Sequence, residues 1–194
     1  MPSSSRILAL AGSARHDSFN KKLIRLAAKG ATDTGAECLV IDLRDYPLPI
    51  YDGDLEASEG LPKNAVQLKE HFNQADGLLI STPEYNSSLP ALLKNTLDWV
   101  SRSPDATPDL APIAGKIVGL MAASPGPLGG MRALAHLRSV LGAVGCVVLP
   151  SQVTIRQAHE AFTEQGQLVN SGTQERVEGL GAEVAAWVAR NPRG

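Results

Sequence analysis

Ile7-Leu8-Ala9-Leu10-Ala11-Gly12-Ser13 reads as an uncharged apolar run ending in a glycine and a serine. Leu23, Leu26, Ala27, Gly30 and Ala31 follow at spacings of three and four, so the segment reads as strand, loop, helix. Outward from it the same alternation repeats. Cys38 to Ile41, Gly77 to Ser81, Lys116 to Ala122 and Cys146 to Leu149 are further short apolar strands. Between them lie a helix carrying Val66, Leu68 and Phe72, one carrying Leu89, Leu92, Leu93, Leu97 and Val100, and one from Leu128 to Gly142. Ser87 and Ser88 are the expected N-caps of the second of these, with Pro90 in its first turn. A last helix is expected from about Thr173 to Ala189, and the stretches Pro47 to Pro62 and Ser103 to Pro112 read as connections. Strands that are apolar throughout, each separated by a helix, predict an α/β fold with a five-stranded parallel sheet, doubly wound, with helices on both faces.

The chain has 194 residues, and one domain over 1–194 is expected. With 43% hydrophobic and 20% charged residues it is neither disordered nor fibrous. Aromatic residues are only 4%, too sparse for a single-strand nucleic-acid platform. Eighteen Lys and Arg against twenty Asp and Glu give a net charge of −2, so no basic field draws in nucleic acid or an anionic membrane. The longest uncharged run, Ser139 to Gln152, is too short to span a bilayer, and the apolar stretch after Arg6 is too short for a signal peptide. A cytoplasmic location is the expectation. Cys38 and Cys146 stand in apolar runs and read as small buried hydrophobes. Scattered His16, His71, His136 and His159 show no metal-ligand spacing and no nucleophilic triad, so neither a metal site nor a hydrolase is expected. His16 is given no role.

Ligands of open parallel sheets bind at the carboxyl ends of the strands. Three loops qualify. Gly12 to Asn20 joins a strand to a helix N-terminus, where unpaired amides favour an anion, and Ser13, Ser18, Asn20 and Arg15 add donors suited to a terminal phosphate. The same small polar residues can equally serve only to turn the chain and cap the helix. Thr82 to Ser88 offers Tyr85 and backbone amides for the edge of a planar heterocycle, or else is a plain turn with Tyr85 packed on the surface. Ser124-Pro-Gly-Pro-Leu-Gly-Gly130 precedes another helix and is a weak signal by itself. Together the loops describe a phosphate site at one end and a flat polar ring at the other, which fits flavin mononucleotide (FMN).

Gly12-Ser-Ala-Arg-His-Asp-Ser-Phe-Asn20 resembles the Gly-Ser-x-Arg-x-x-Ser-x-Asn loop of the NADPH-dependent FMN reductase family. The stretch Pro83-Glu-Tyr-Asn-Ser-Ser-Leu-Pro-Ala-Leu-Leu-Lys-Asn-Thr-Leu-Asp-Trp99 resembles its second signature. The resemblance implies a flavodoxin-like sheet of order 2-1-3-4-5 and non-covalent FMN, with NADPH or NADH as cosubstrate. It implies that Ser13, Arg15, Ser18 and Asn20 hold the phosphate, that Phe19 belongs to the same cofactor loop, and that Pro83, Glu84, Tyr85 and Asn86 line the ring near N5. Ser124, Gly126, Gly129 and Gly130 match the loop expected along the pyrimidine edge. Hydride would pass from NAD(P)H to flavin N5 and then to a small acceptor, by a ping-pong mechanism. Quinones, free flavin, azo compounds and chromate are the acceptor classes of the family. Its members are usually homodimers or homotetramers, and Tyr51 and Asp52 are candidates to reach a neighbouring subunit's site. Arg15 or Arg102 could favour NADPH through its 2′-phosphate. A flavodoxin-type FMN electron carrier without a nicotinamide substrate is the alternative, and such carriers are strongly acidic where this chain carries only −2.

Overall fold

The computed structural model describes residues 5–191. Its strands are β1 (Arg6–Ala11), β2 (Glu37–Asp42), β3 (Gly77–Thr82), β4 (Ile117–Ala123) and β5 (Val147–Ile155). Its helices are α1 (Phe19–Thr32), α2 (Gly53–Glu59), α3 (Lys63–Gln74), α4 (Ala91–Val100), α5 (Met131–Ala143), α6 (Ala158–Ala161) and α7 (Ser171–Arg190). All five strands pair in parallel in the order β2-β1-β3-β4-β5, the flavodoxin-like order.

Alternation along β1 explains why its residues are apolar throughout. Ile7, Ala9 and Ala11 join Leu79 and Met121 in a core roofed by Leu23, Ile24 and Ala27 of α1 and Leu180 and Val184 of α7. Leu8 and Leu10 point to the opposite face, joining Leu78, Ile80 and Leu120 beneath Phe72 of α3, Leu93 and Leu97 of α4 and Leu134 and Leu137 of α5. With helices on both faces, neither set of side chains can be polar.

The structure departs from the sequence reading in places. β5 runs through Pro150 to Ile155 rather than stopping at Leu149, because it is an edge strand whose register on β4 shifts between Val118 and Leu120. A proline is tolerated at such an irregular edge, where no ladder partner needs its missing N–H. Ser87 and Ser88 do not cap α4; the N-cap is Pro90 and the helix starts at Ala91. Asn86 and Ser87 instead lie in the left-handed region, at φ 49 and 66, and close a tight turn in which Tyr85 and Ser88 exchange two backbone hydrogen bonds of 3.0 Å. α5 begins at Met131 rather than Leu128, and the connection before α3 contains the short helix α2, capped by Asp52. Cys38 and Cys146 are half-buried rather than buried, since each lies at or beside an edge strand. Burial still pushes the Cys38 thiol up to about 11, which keeps it protonated. No described helix is long and apolar enough to cross a membrane.

Candidate functional site

β1 and β3 are neighbours, but the helices that follow them lie on opposite faces, so their connections part and leave a crevice at the carboxyl edge. The first two loops are tied there by the Gly12 amide donating to the Ser81 carbonyl at 2.8 Å. A cavity of about 60 Å³ opens at this point, lined by Ser13, Arg15, Ser18, Phe19, Asn20, Pro83, Glu84, Tyr85, Ala123, Ser124 and Pro125.

Ser18 is the N-cap of α1 by its extended backbone, yet its side chain makes no capping hydrogen bond. The amides of Phe19 and Asn20, first in the helix, have no acceptor one turn back. Ser13 and Ser18 are both buried, and the Ser13 hydroxyl accepts only a long bond of 3.3 Å from the Arg15 amide. Arg15 is exposed, and among the described residues no carboxylate is paired with it. The neighbouring charges are already matched: Lys22 pairs with Asp17 at 2.8 Å and holds its carboxyl below the usual range, and Lys21 pairs with Asp42 at 2.6 Å. The loop thus collects two buried hydroxyls, unpaired helix-terminal amides and one unmatched guanidinium, a donor set for a compact anion.

The Asn20 side chain does another job. Its amide nitrogen donates to the Ala123 carbonyl at 2.9 Å, and its oxygen accepts from Ser81 Oγ at 2.8 Å and from the Ala123 amide at 2.9 Å. It ties the start of α1 to the ends of β3 and β4 and so fixes the crevice walls. Glu84 is similarly occupied. Its carboxylate accepts from the Arg132 guanidinium, from the Arg132 amide at 3.1 Å and from the Ala133 amide at 3.3 Å, which caps α5. Burial pushes this carboxyl up, but the Arg132 guanidinium and the two amides outweigh it and hold it below the usual range. Tyr85 stands half-exposed above the cavity, and its amide is taken by the Ser88 carbonyl.

Nine of the residues singled out from sequence line the cavity, with Ala123 and Pro125 added. Asn86, Gly126, Gly129 and Gly130 do not line it. Gly129 and Gly130, at φ 62 and 89, are demanded by packing: a Cβ on Gly129 would sit 3.0 Å from the Ile155 carbonyl carbon, and one on Gly130 2.6 Å from Ala122 Cβ. Within this loop the Gly126, Gly129 and Met131 amides are bonded internally, leaving those of Leu128 and Gly130 without a hydrogen bond among the described residues. Ala123 lies one residue past the strand end expected from sequence, and its backbone bonds to Asn20, like the pairing of Arg132 with Glu84, join residues far apart in the chain and carry no local signal.

Tyr51 and Arg102 are committed elsewhere. The Tyr51 hydroxyl donates to Glu56 at 3.0 Å, Arg102 Nε donates to both Glu56 oxygens at 2.8 and 3.0 Å, and the Tyr51 ring packs edge-on against Trp99 at 5.0 Å. The Arg102 guanidinium holds the buried Glu56 carboxyl below its usual range. This cluster seals the connection before α3 onto α4, with the Tyr51 hydroxyl and the Arg102 guanidinium both engaged by Glu56. Asp52 accepts the Asp54 amide as the cap of α2, and His16 is exposed. Cavities of about 370 and 320 Å³ lie beside β5 and beside β2, and the chemistry of the crevice loops, rather than volume, marks the smaller one. Among the described residues no group of three His, Cys, Asp or Glu is placed to hold a metal ion.

The family model of NADPH-dependent FMN reductases matches residues 5–160. The chain is similar to a quinone reductase of Escherichia coli, 35% identical over 176 residues that cover 90% of each chain. It is also similar to an NAD(P)H-dependent FMN reductase of Pseudomonas aeruginosa, 33% identical over 186 residues, or 95% of this chain and 96% of that one. Among solved structures it resembles a flavoenzyme NAD(P)H:acceptor oxidoreductase from Paracoccus denitrificans, with a TM-score of 0.77, 28% identity, and coverage of 96% of this chain and 98% of the other.

Proposed function

The chain belongs to the NADPH-dependent FMN reductase family and is an FMN-dependent NAD(P)H oxidoreductase, and from that premise we propose where its cofactor sits and what it reduces. The observation that carries the placement is the unsatisfied donor set at the start of α1. Ser13, Ser18, Arg15 and the amides of Phe19 and Asn20 hold the phosphate of FMN, while Asn20 holds the walls around it. Pro83 and Tyr85 border the ring, with the Glu84, Asn86 and Ser87 amides available to its edge. The Leu128 and Gly130 amides, without a hydrogen bond among the described residues, are the donors available for the pyrimidine side, where they would stabilise the charge that reduction creates. Bound there, FMN would supply the hydride-accepting chemistry, at N5, that couples NAD(P)H to the acceptor. The chain supplies position and electrostatics, and no side chain acts as acid, base or nucleophile.

The half-exposed Tyr85 marks the open side of the crevice, where NAD(P)H and a small acceptor bind in turn, a ping-pong order. A quinone is the leading acceptor class, since quinone reductases are among the relatives; free flavin, azo compounds and chromate complete the panel. The family resemblance supports a homodimer or homotetramer, a cytoplasmic location, and one flavin-binding domain over 1–194, whose first four and last three residues lie outside the described ones.

The deciding experiment is done without oxygen. The purified yellow protein should bleach on addition of NADPH and regain its colour when a quinone is then added alone. Colour that NADPH leaves untouched marks an electron carrier, and a protein that takes up no FMN sinks the reading. Arg15→Ala should weaken FMN binding by about tenfold to a hundredfold, the worth of one charge-assisted hydrogen bond, with the melting temperature of the FMN-free protein unmoved. Titration of flavin fluorescence measures it, and an unchanged affinity removes Arg15 from the phosphate site.

A further inference from the structure

We propose that His136 is a positioning residue for the flavin reaction, acting through Ser88 on the turn that carries Tyr85; this rests on the cofactor placement above. The turn is strained and poorly buried. Asn86 and Ser87 both hold left-handed backbone, at φ 49 and 66, although each bears a Cβ, and both are exposed. Its own closure consists of the two Tyr85–Ser88 backbone bonds of 3.0 Å. A strained segment persists only where its surroundings restrain it. The restraint comes from one face of α5. Arg132 grips Glu84 just before the turn, and His136, one helical turn later, places Nδ1 at 2.9 Å from Ser88 Oγ at its far end.

The two anchors differ in what else they do. Glu84 also caps α5 with a side chain that is largely covered, so its loss would disturb the helix as well as the turn. His136 and its contact are exposed, so the histidine can govern the turn without supporting the core. A serine hydroxyl both donates and accepts, so either tautomer of the imidazole preserves the contact. Fixing Ser88 sets where the Tyr85 ring stands over the open side of the crevice, and hence how an acceptor is seated there.

The test uses the 194-residue chain as parent, with His136→Ala, His136→Asn, Ser88→Ala, and the double variant His136→Ala/Ser88→Ala. Steady-state rates with NADPH and benzoquinone are measured on the holoenzymes, and amide hydrogen exchange at Tyr85 and Ser88 on the FMN-free proteins. His136→Ala should raise the benzoquinone KM about fivefold, the worth of one neutral hydrogen bond. Its kcat should stay within twofold, its melting temperature should hold, and the two amides should exchange about fivefold faster. His136→Asn, which can still bond Ser88, should return to within twofold of the parent. Ser88→Ala should match His136→Ala, and the double variant should be no worse than either. Unchanged KM and exchange in His136→Ala overturn the proposal, as does a fall in melting temperature alone. A full His136→Ala effect on the Ser88→Ala background overturns it too, because the histidine would then act by another route. A parent that oxidises no NADPH sinks the flavin reading instead, a failure told apart because the exchange measurement needs no flavin.

Discussion

Gly30→Ala is expected to strip at least about 3 kcal/mol from the stability of the chain, although alanine is the better helix former by about 1 kcal/mol. Gly30 lies in α1 where that helix crosses α7, and a Cβ there would fall inside the van der Waals shell of the Glu178 carbonyl. Gly181 of α7 makes the reciprocal approach to the Ala27 carbonyl of α1. These obstacles are helix backbones, not flexible side-chain ends, so the whole α1–α7 pair must separate to admit one methyl group. Separation opens the core formed by Leu23, Ala27, Ala31, Val177, Leu180 and Val184. Overpacking commonly costs about 1–3 kcal/mol where side chains can adjust; here they cannot, and a loss of at least about 3 kcal/mol is expected from a total of about 5–15. Gly179→Ala, in the same α7 but with open space around its Cβ, should stabilise by about 0.5–1 kcal/mol. Urea melts of the two variants read the effect. A Gly30→Ala protein as stable as the parent would show that the close crossing does not exist.

Asn20→Ala should cost about 3 kcal/mol and yield a colourless protein. The substitution orphans the Ser81 hydroxyl, the Ala123 amide and the Ala123 carbonyl, all at a buried junction of α1, β3 and β4. Each unpaired buried group costs about 1–3 kcal/mol, less where water can enter. Asn20→Asp separates the fold role from the anion site. The carboxylate still accepts from Ser81 and the Ala123 amide and suits a helix N-terminus, but it cannot donate to the Ala123 carbonyl, so only part of the stability should return. It also puts a negative charge beside the phosphate loop, so FMN affinity should fall by at least tenfold. Denaturant melts and flavin absorbance of the purified variants check both. If Asn20→Ala melts within about 1 kcal/mol of the parent and still holds FMN, the junction is not what shapes the crevice.

The parts of the fold that could be read from sequence are those set by local patterning. Ile7 to Ala11 and Gly77 to Ser81 are apolar at every position because both faces of their strands are covered, and the helical spacing of Leu93, Leu97 and Val100 records one buried face. Features that local pattern does not encode were missed or misplaced. The continuation of β5 through Pro150 depends on the strand being an edge, which is a property of the assembled sheet. Ser87 looks like a helix cap until Asn86 and Ser87 are seen to turn left-handed under restraint from α5.

The candidate site divides in the same way. Sequence alone identified the three loops, because a phosphate site needs small polar residues at a helix start and the order of strand, loop and helix places them at one edge. It could not assign each side chain its work. Hydrogen-bonding capacity is finite, and only the folded chain decides which partner claims it. Asn20 is claimed by Ser81 and Ala123, Glu84 by Arg132 and the start of α5, and Arg102 by Glu56, all through contacts spanning 46 or more residues. Ser13, Ser18 and Arg15 are left with capacity to spare because no distant residue among the described ones reaches them, and that remainder, visible only in the tertiary structure, is what a phosphate can use.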